Sequence, residues 1–259
     1  MRWTVAEQLS EDTLLDGRVR LRQPVRGYRV ALDPVLLAAA VRIEPGEQVL
    51  DAGAGTGAAG LCLAWRVPGC KVIGLERERE LQRIASENVR LNQAEGRVDM
   101  LQGDVARPPP RLMAASFDHV MTNPPHLEQA SARPSPLATR AAAHVERGLD
   151  LAGWLQASLR MLRPNGSLTL IHRADRLDAV LAALAGRLGD LLVFPFWSHD
   201  PGRPAKRVIV QGRKGSRAPL RLARGLVLHQ ADGHFTAVAE GILRRGTPLE
   251  LGGTDVDDG

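Results

Sequence analysis

Glu47–Gly60, EQVLDAGAGTGAAG, decides how this chain of 259 residues folds. A short apolar run ending in Asp51 passes into glycines at 53, 55, 57 and 60, which reads as a strand, a tight loop and the first turn of a helix. Glycine belongs there if a ligand is to lie against the backbone with no side chain in the way. The stretch therefore reads as a cofactor loop. The spacing of Gly55, Gly57 and Gly60 also fits dinucleotide-binding folds, so the loop by itself leaves the cofactor open.

The segments that follow narrow the choice. Lys71–Glu76, KVIGLE, is a second apolar strand whose terminal acid stands about twenty residues past the glycines, where a carboxylate meets ribose hydroxyls. A third strand around Arg97–Leu101 ends at Gly103-Asp104 and offers a carboxylate suited to an adenine amino group. The fourth, Phe117–Thr122, runs into Asn123-Pro124-Pro125-His126. A dehydrogenase has no use for that tetrapeptide, whereas transfer of a methyl group to nitrogen does. An exocyclic amine delocalises its lone pair into the ring it sits on, and it attacks poorly unless its hydrogens are held by acceptors. The Asn123 side-chain oxygen and the Pro124 carbonyl can supply two, and successive prolines fix φ near about −65°, which sets the carbonyl direction in advance. A flat side chain at the fourth position would stack on a base, a contact worth about 1–3 kcal/mol.

On these residues the chain resembles the Rossmann-type S-adenosylmethionine-dependent methyltransferases that carry Asn-Pro-Pro-aromatic. Within that group it is similar to the bacterial tRNA adenine-N6 methyltransferases acting beside the anticodon of valine tRNA. The likeness runs from GRVRLRQPVRGYRVALDPVLLAAAV to RVIVQGRKG and LVLHQADGHF, with His126 standing where the family has Tyr or Phe. It implies an α/β fold, a seven-stranded class I methyltransferase sheet with its last strand antiparallel and helices on both faces. It also implies that Asp51 and the loop of Gly53, Ala54, Gly55 and Gly57 hold the methionine part of S-adenosylmethionine. Glu76 would serve the ribose and Asp104 the adenine, with Arg77, Val105 and Asn123 also touching the cofactor, and Asn123, Pro124, Pro125 and His126 would serve the acceptor base.

Strand and helix alternate as such a sheet requires. An apolar helix starts at Asp33-Pro34, the acid reading as its cap and the proline lying in its first turn. Strands at 47–51, 71–76, 97–101 and 117–122 follow, with helices at 57–67 and 78–92. Apolar residues at 151, 155, 159 and 162 mark a further helix, which stops at Arg163-Pro164-Asn165-Gly166 and releases GSLTLIH as a fifth strand. A helix at 175–188 and strands at 191–197 and 206–213 complete the pattern. The last two are joined by a loop too short for a crossover helix, so they run antiparallel. Residues 1–32 read as an extension with a basic strand, 33–215 as the methyltransferase domain, and 216–259 as an appendage with a hairpin at Ala231-Asp232-Gly233 and an acidic, disordered tail.

Charge adds a partner. The net charge is +5 and the pI near 10, carried almost wholly by arginine, whose planar fork suits phosphates and base edges. Arg18, Arg20 and Arg22 alternate and would line one strand face, followed by Arg26 and Arg29. Arg133, Arg140, His144 and Arg147 lie in a Pro/Ser/Ala-rich run beyond His126. Arg18, Arg20, Arg22, Arg133 and Arg140 are thus candidate contacts to tRNA. Cys62 and Cys70 are too few for zinc or a disulfide framework, and no metal is expected. The start of the sequence lacks a continuous apolar run, and Pro34–Val41 is too short to cross a bilayer, so a cytoplasmic protein is expected. The same acceptor chemistry would also serve a ribosomal RNA base or a glutamine amide. A cofactor-binding scaffold without catalysis and a nicotinamide oxidoreductase are the readings furthest from it.

Overall fold

The computed structural model describes residues 9–27, 29–125, 149–199 and 203–252. The chain begins with a hairpin of β1 (Leu9–Leu14) and β2 (Val19–Pro24). It then alternates through α1 (Asp33–Ala40), β3 (Gln48–Ala52), α2 (Ala58–Arg66), β4 (Lys71–Glu76), α3 (Arg79–Leu91), β5 (Val98–Gln102) and β6 (Phe117–Thr122). After these come α4 (Leu151–Met161), β7 (Leu162–Arg173), α5 (Leu177–Leu184), β8 (Leu188–Trp197) and β9 (Arg207–Lys214). Two short strands, β10 (Arg221–Leu222) and β11 (Leu226–Val227), precede α6 (Ala237–Arg245).

The strand order β5-β4-β3-β6-β7-β9-β8 places the first strand after the hairpin, β3, in the middle, so the order reverses beside it. Neighbours from β5 through β7 are parallel, and β9 is antiparallel to both β7 and β8. Strand alternation divides the core. Val49 and Val72 face a layer of Leu36, Leu37, Leu63 and Ala85 from α1–α3, while Leu50 and Leu75 face Leu155, Leu159 and Val180 from α4 and α5.

The sheet departs from a seven-stranded one by gaining β10 and β11, giving nine strands among the described residues. Both pair in parallel with β8 along its outer edge, where they cover backbone groups that would otherwise stay open to another chain. The first helix also differs from expectation. Asp33 does not cap it; its carboxylate accepts from Arg207 Nε at 2.8 Å on β9, because Pro34 to Ala40 are all buried and the helix is held by its surroundings rather than by its own end. The turn at Arg163–Gly166 lies inside β7 as an irregularity in its pairing with β6, with Asn165 at φ 64°, rather than ahead of the strand. The helix after β7 is short, a single 3-10 turn at Ala174–Arg176 followed by α5.

Helix α6 is capped by Thr236, whose hydroxyl accepts the Ala239 N–H. Ile242, Leu243, Leu249 and Leu251 join the same core as α1, and Leu249 N–H donates to Ala39 O at 2.9 Å.

Candidate active site

At the carboxyl edge of the sheet the chain leaves β3 through three glycines in the left-handed region, Gly53 (φ 81°), Gly55 (φ 56°) and Gly57 (φ 85°). The loop folds back on β4, with Gly53 and Ala54 N–H both donating to Leu75 O, and closes on itself through Gly57 N–H to Ala54 O at 2.8 Å. Gly57 is the N-cap of α2, so the loop ends at the start of that helix, where the Gly60 N–H is held by Asp51. The space is tight as well as the backbone. A Cβ on Gly53 would sit 2.8 Å from the Trp154 ring, and one on Gly57 2.8 Å from the Met100 methyl.

Three carboxylates stand at the ends of successive strands. Glu76, at the end of β4, accepts Gly55 N–H at 2.9 Å through one oxygen and Glu78 N–H at 2.8 Å through the other, pinning the loop while each oxygen keeps a second lone pair. Asp104 follows β5 and accepts Ala106 N–H at 2.8 Å, in a turn closed by Arg107 N–H to Asp104 O with Val105 buried within it. Asp51 is buried near the end of β3. Burial pushes its carboxyl up to about 7; the Gly60 N–H opposes this and the charge of Glu76 adds to it. Its Oδ2 has no hydrogen-bond partner among the described residues. Arg77 is exposed and pairs with Glu78 at 3.5 Å.

The acceptor corner is set by strand register. Ala52 of β3 pairs directly with Thr122 of β6, so Gly53 and Asn123 leave adjacent strands at one level, about 5 Å apart by strand spacing. A short chain of hydrogen bonds fixes that level. Thr122 Oγ1 donates to Ala52 O at 2.7 Å and accepts Trp154 Nε1–H at 3.0 Å, while the indole packs on Gly53. Asn123 is half-buried, Pro124 buried and Pro125 exposed, and no described residue hydrogen-bonds the Asn123 amide or the Pro124 carbonyl. His126 lies outside the described residues, as do Arg133, Arg140, His144 and Arg147.

The sequence profile of the methyltransferase small domain matches residues 33–184. The chain belongs to that family. Among curated relatives, the tRNA1(Val) (adenine(37)-N6)-methyltransferase of Aeromonas hydrophila is 29% identical over 217 residues, covering 80% of this chain and 85% of the relative. The protein of the same name from Porphyromonas gingivalis is 28% identical over 222 residues, with coverages of 80% and 84%. The crystal structure of a predicted O-methyltransferase from Agrobacterium tumefaciens superposes with a TM-score of 0.71 at 27% identity, over 86% of this chain and 100% of that one.

As a methyltransferase small domain protein, the chain takes S-adenosylmethionine as its methyl donor. The crevice fits such a group. It offers a loop of left-handed glycines tied to β4, a buried carboxylate oxygen with no partner among the described residues, and carboxylates at or just past the ends of three neighbouring strands.

The basic strand is present but partly neutralised. Arg20 and Arg22 project outward from β2 and share Glu11 of β1, at 2.9 and 3.4 Å. The Arg20 hydrogen bond to Glu11 is the main influence holding its carboxyl below the usual range. Arg18 donates to Leu15 O and Arg244 O and lies over the Trp65 ring at 5.6 Å, which makes it a brace between the hairpin and α6. Trp154, Thr122 and Met100 complete the site and had no signal in the sequence. Each looks like an ordinary core residue of its element, and only long-range packing brings it to the loop.

Proposed function

We propose that this methyltransferase places a methyl group on N6 of an adenine in tRNA, at position 37 of valine tRNA, and works in the cytoplasm. The observation that carries this reading is the Ala52–Thr122 register, which sets the glycine loop and the Asn-Pro-Pro corner side by side at the carboxyl edge. The names of the relatives from Aeromonas hydrophila and Porphyromonas gingivalis, each matched over four-fifths of this chain, supply the substrate.

Bound S-adenosylmethionine supplies a methyl group on positively charged sulfur. Asp51 and the Gly53–Gly57 backbone hold its methionine part, Glu76 its ribose hydroxyls and Asp104 its adenine amine. Asn123 Oδ1 and Pro124 O accept the two hydrogens of the target amine, which frees the nitrogen lone pair from the ring and points it across the corner towards the loop. Trp154, through Thr122, keeps the corner level with the loop. A strong base is unnecessary, because the methylated nitrogen gives up its extra proton to water. A base in an anticodon loop is already partly unstacked, so turning it out costs only about a few kcal/mol. In this reading residues 33–215 form the catalytic unit, and the alternating arginines of residues 18–22 contribute to RNA affinity alongside Arg133 and Arg140.

The test is methylation of total tRNA with labelled S-adenosylmethionine, followed by nucleoside mass spectrometry. N6-methyladenosine is the expected product, and Asn123→Ala is expected to lower turnover by about 10²–10³-fold while S-adenosylhomocysteine still binds in calorimetry. Label appearing in protein, or an Asn123→Ala enzyme with unchanged turnover, contradicts the proposal.

A further inference from the structure

Helix α3 grips the N-terminal hairpin in an unusual way. Asn92, the residue that caps its C-terminal end, accepts Arg20 N–H at 2.8 Å and donates to Arg20 O at 2.7 Å; one turn earlier, Asn88 accepts Arg22 N–H at 2.7 Å and donates to Arg22 O at 2.8 Å. Four residues of helix rise about 6 Å and two residues of strand about 6.6 Å, so the two amides match the repeat of the open edge of β2 and stand in for a neighbouring strand. The clasp is symmetrical towards the hairpin and asymmetrical on its other side. The second proton of the Asn92 amide goes to Asn88 O within the helix, at 2.8 Å, whereas that of Asn88 goes to Thr56 O at 3.0 Å, in the middle of the glycine loop. Asn88 and Thr56 are both fully buried.

We infer that Asn88 is a positioning residue for the cofactor, and that through it the N-terminal hairpin and the glycine loop form one coupled unit. A trans peptide fixes its C=O and the following N–H in opposite directions, so holding Thr56 O also aims the Gly57 N–H, which closes the loop on Ala54 O. With Asn88 in place, the Thr56–Gly57 peptide is set before any ligand arrives, and the loop loses little freedom on binding. Without it the peptide can turn, and part of the binding energy goes into ordering the loop. Coupling of this kind is reciprocal, so a ligand that fixes the loop also steadies β2.

This inference rests on the assignment of the glycine loop to the cofactor, and the experiment separates the two. Affinity for S-adenosylhomocysteine is measured by calorimetry on the full chain for Asn88→Ala, Asn92→Ala and Glu76→Ala, with Asn88→Ser as the milder variant should Asn88→Ala fail to fold. Asn88→Ala is expected to bind about tenfold more weakly, and Asn92→Ala, which loses the same two bonds to the strand, to stay within about twofold of the parent. Hydrogen exchange gives a second readout. S-adenosylhomocysteine should protect the β2 amides in the parent and in Asn92→Ala, but not in Asn88→Ala. Equal losses in the two asparagine variants would mean a purely structural clasp and overturn the inference, as would no loss at Asn88 while Glu76→Ala binds poorly. If Glu76→Ala also binds normally, the loop is not the cofactor site and both readings fall.

Discussion

Replacing Asp51 by Asn should change the sign of its effect on stability as pH rises. The side chain is fully buried, and its carboxyl titrates at about 7 instead of the ordinary 3.8, chiefly because burial disfavours its charge. Between those two values the folded protein holds a proton that the unfolded chain has released, so stability falls as pH rises and the full loss is present above about 7. A gap of about 3 pH units at about 1.36 kcal/mol each amounts to about 4 kcal/mol. Asparagine keeps the shape and can still accept from Gly60, and it removes this penalty. It also puts an N–H₂ donor in place of an oxygen that has no partner among the described residues, at a cost of about 1–3 kcal/mol. The variant should therefore be more stable than the parent by about 1–3 kcal/mol at pH 8.5 and less stable by about 1–2 kcal/mol near pH 4. Urea unfolding of both proteins at several pH values measures this directly. A stability difference that does not vary with pH, or that varies in the opposite direction, would refute the account of Asp51 as a carboxylate buried against its preference.

Two further substitutions probe the crevice. Gly53→Ala imposes a left-handed backbone on alanine and drives a Cβ into the Trp154 ring, so it should lose about 1–3 kcal/mol of stability and bind S-adenosylhomocysteine at least tenfold more weakly, read by thermal unfolding and calorimetry. Thr122→Val removes the bonds to Ala52 O and from the Trp154 indole while leaving that indole packed on Gly53. About 1–3 kcal/mol of stability should be lost, and kcat should fall more than the KM for cofactor changes, since the corner loosens while the loop stays closed; a change confined to KM would place Thr122 with the cofactor instead.

The loop and its two neighbouring acids were legible because each had one plausible physical reason. Glycines at 53, 55 and 57 take positive φ, and Glu76 and Asp104 end strands whose apolar alternation is plain. The alternation of Val19, Leu21 and Gln23 inward with Arg20 and Arg22 outward was equally readable. What stayed hidden depended on distance along the chain. Asp33 looks like a cap until Arg207, 174 residues later, is folded beside it, and Asn88 and Asn92 look like the wet face of a helix until β2 lies along them. Two-residue strands such as β10 and β11 are too short to show a period at all. They exist because β8 has an edge to cover.

Helix α1 is apolar on every side, and part of its cover comes from α6 and the segment through Leu251. During synthesis, some two hundred residues must be added before that cover leaves the ribosome. Helix α2 and β7 shield the other sides of α1 much sooner, but a chain that stops before position 249 leaves one flank of this apolar helix bare, a heavier loss than so short a truncation suggests.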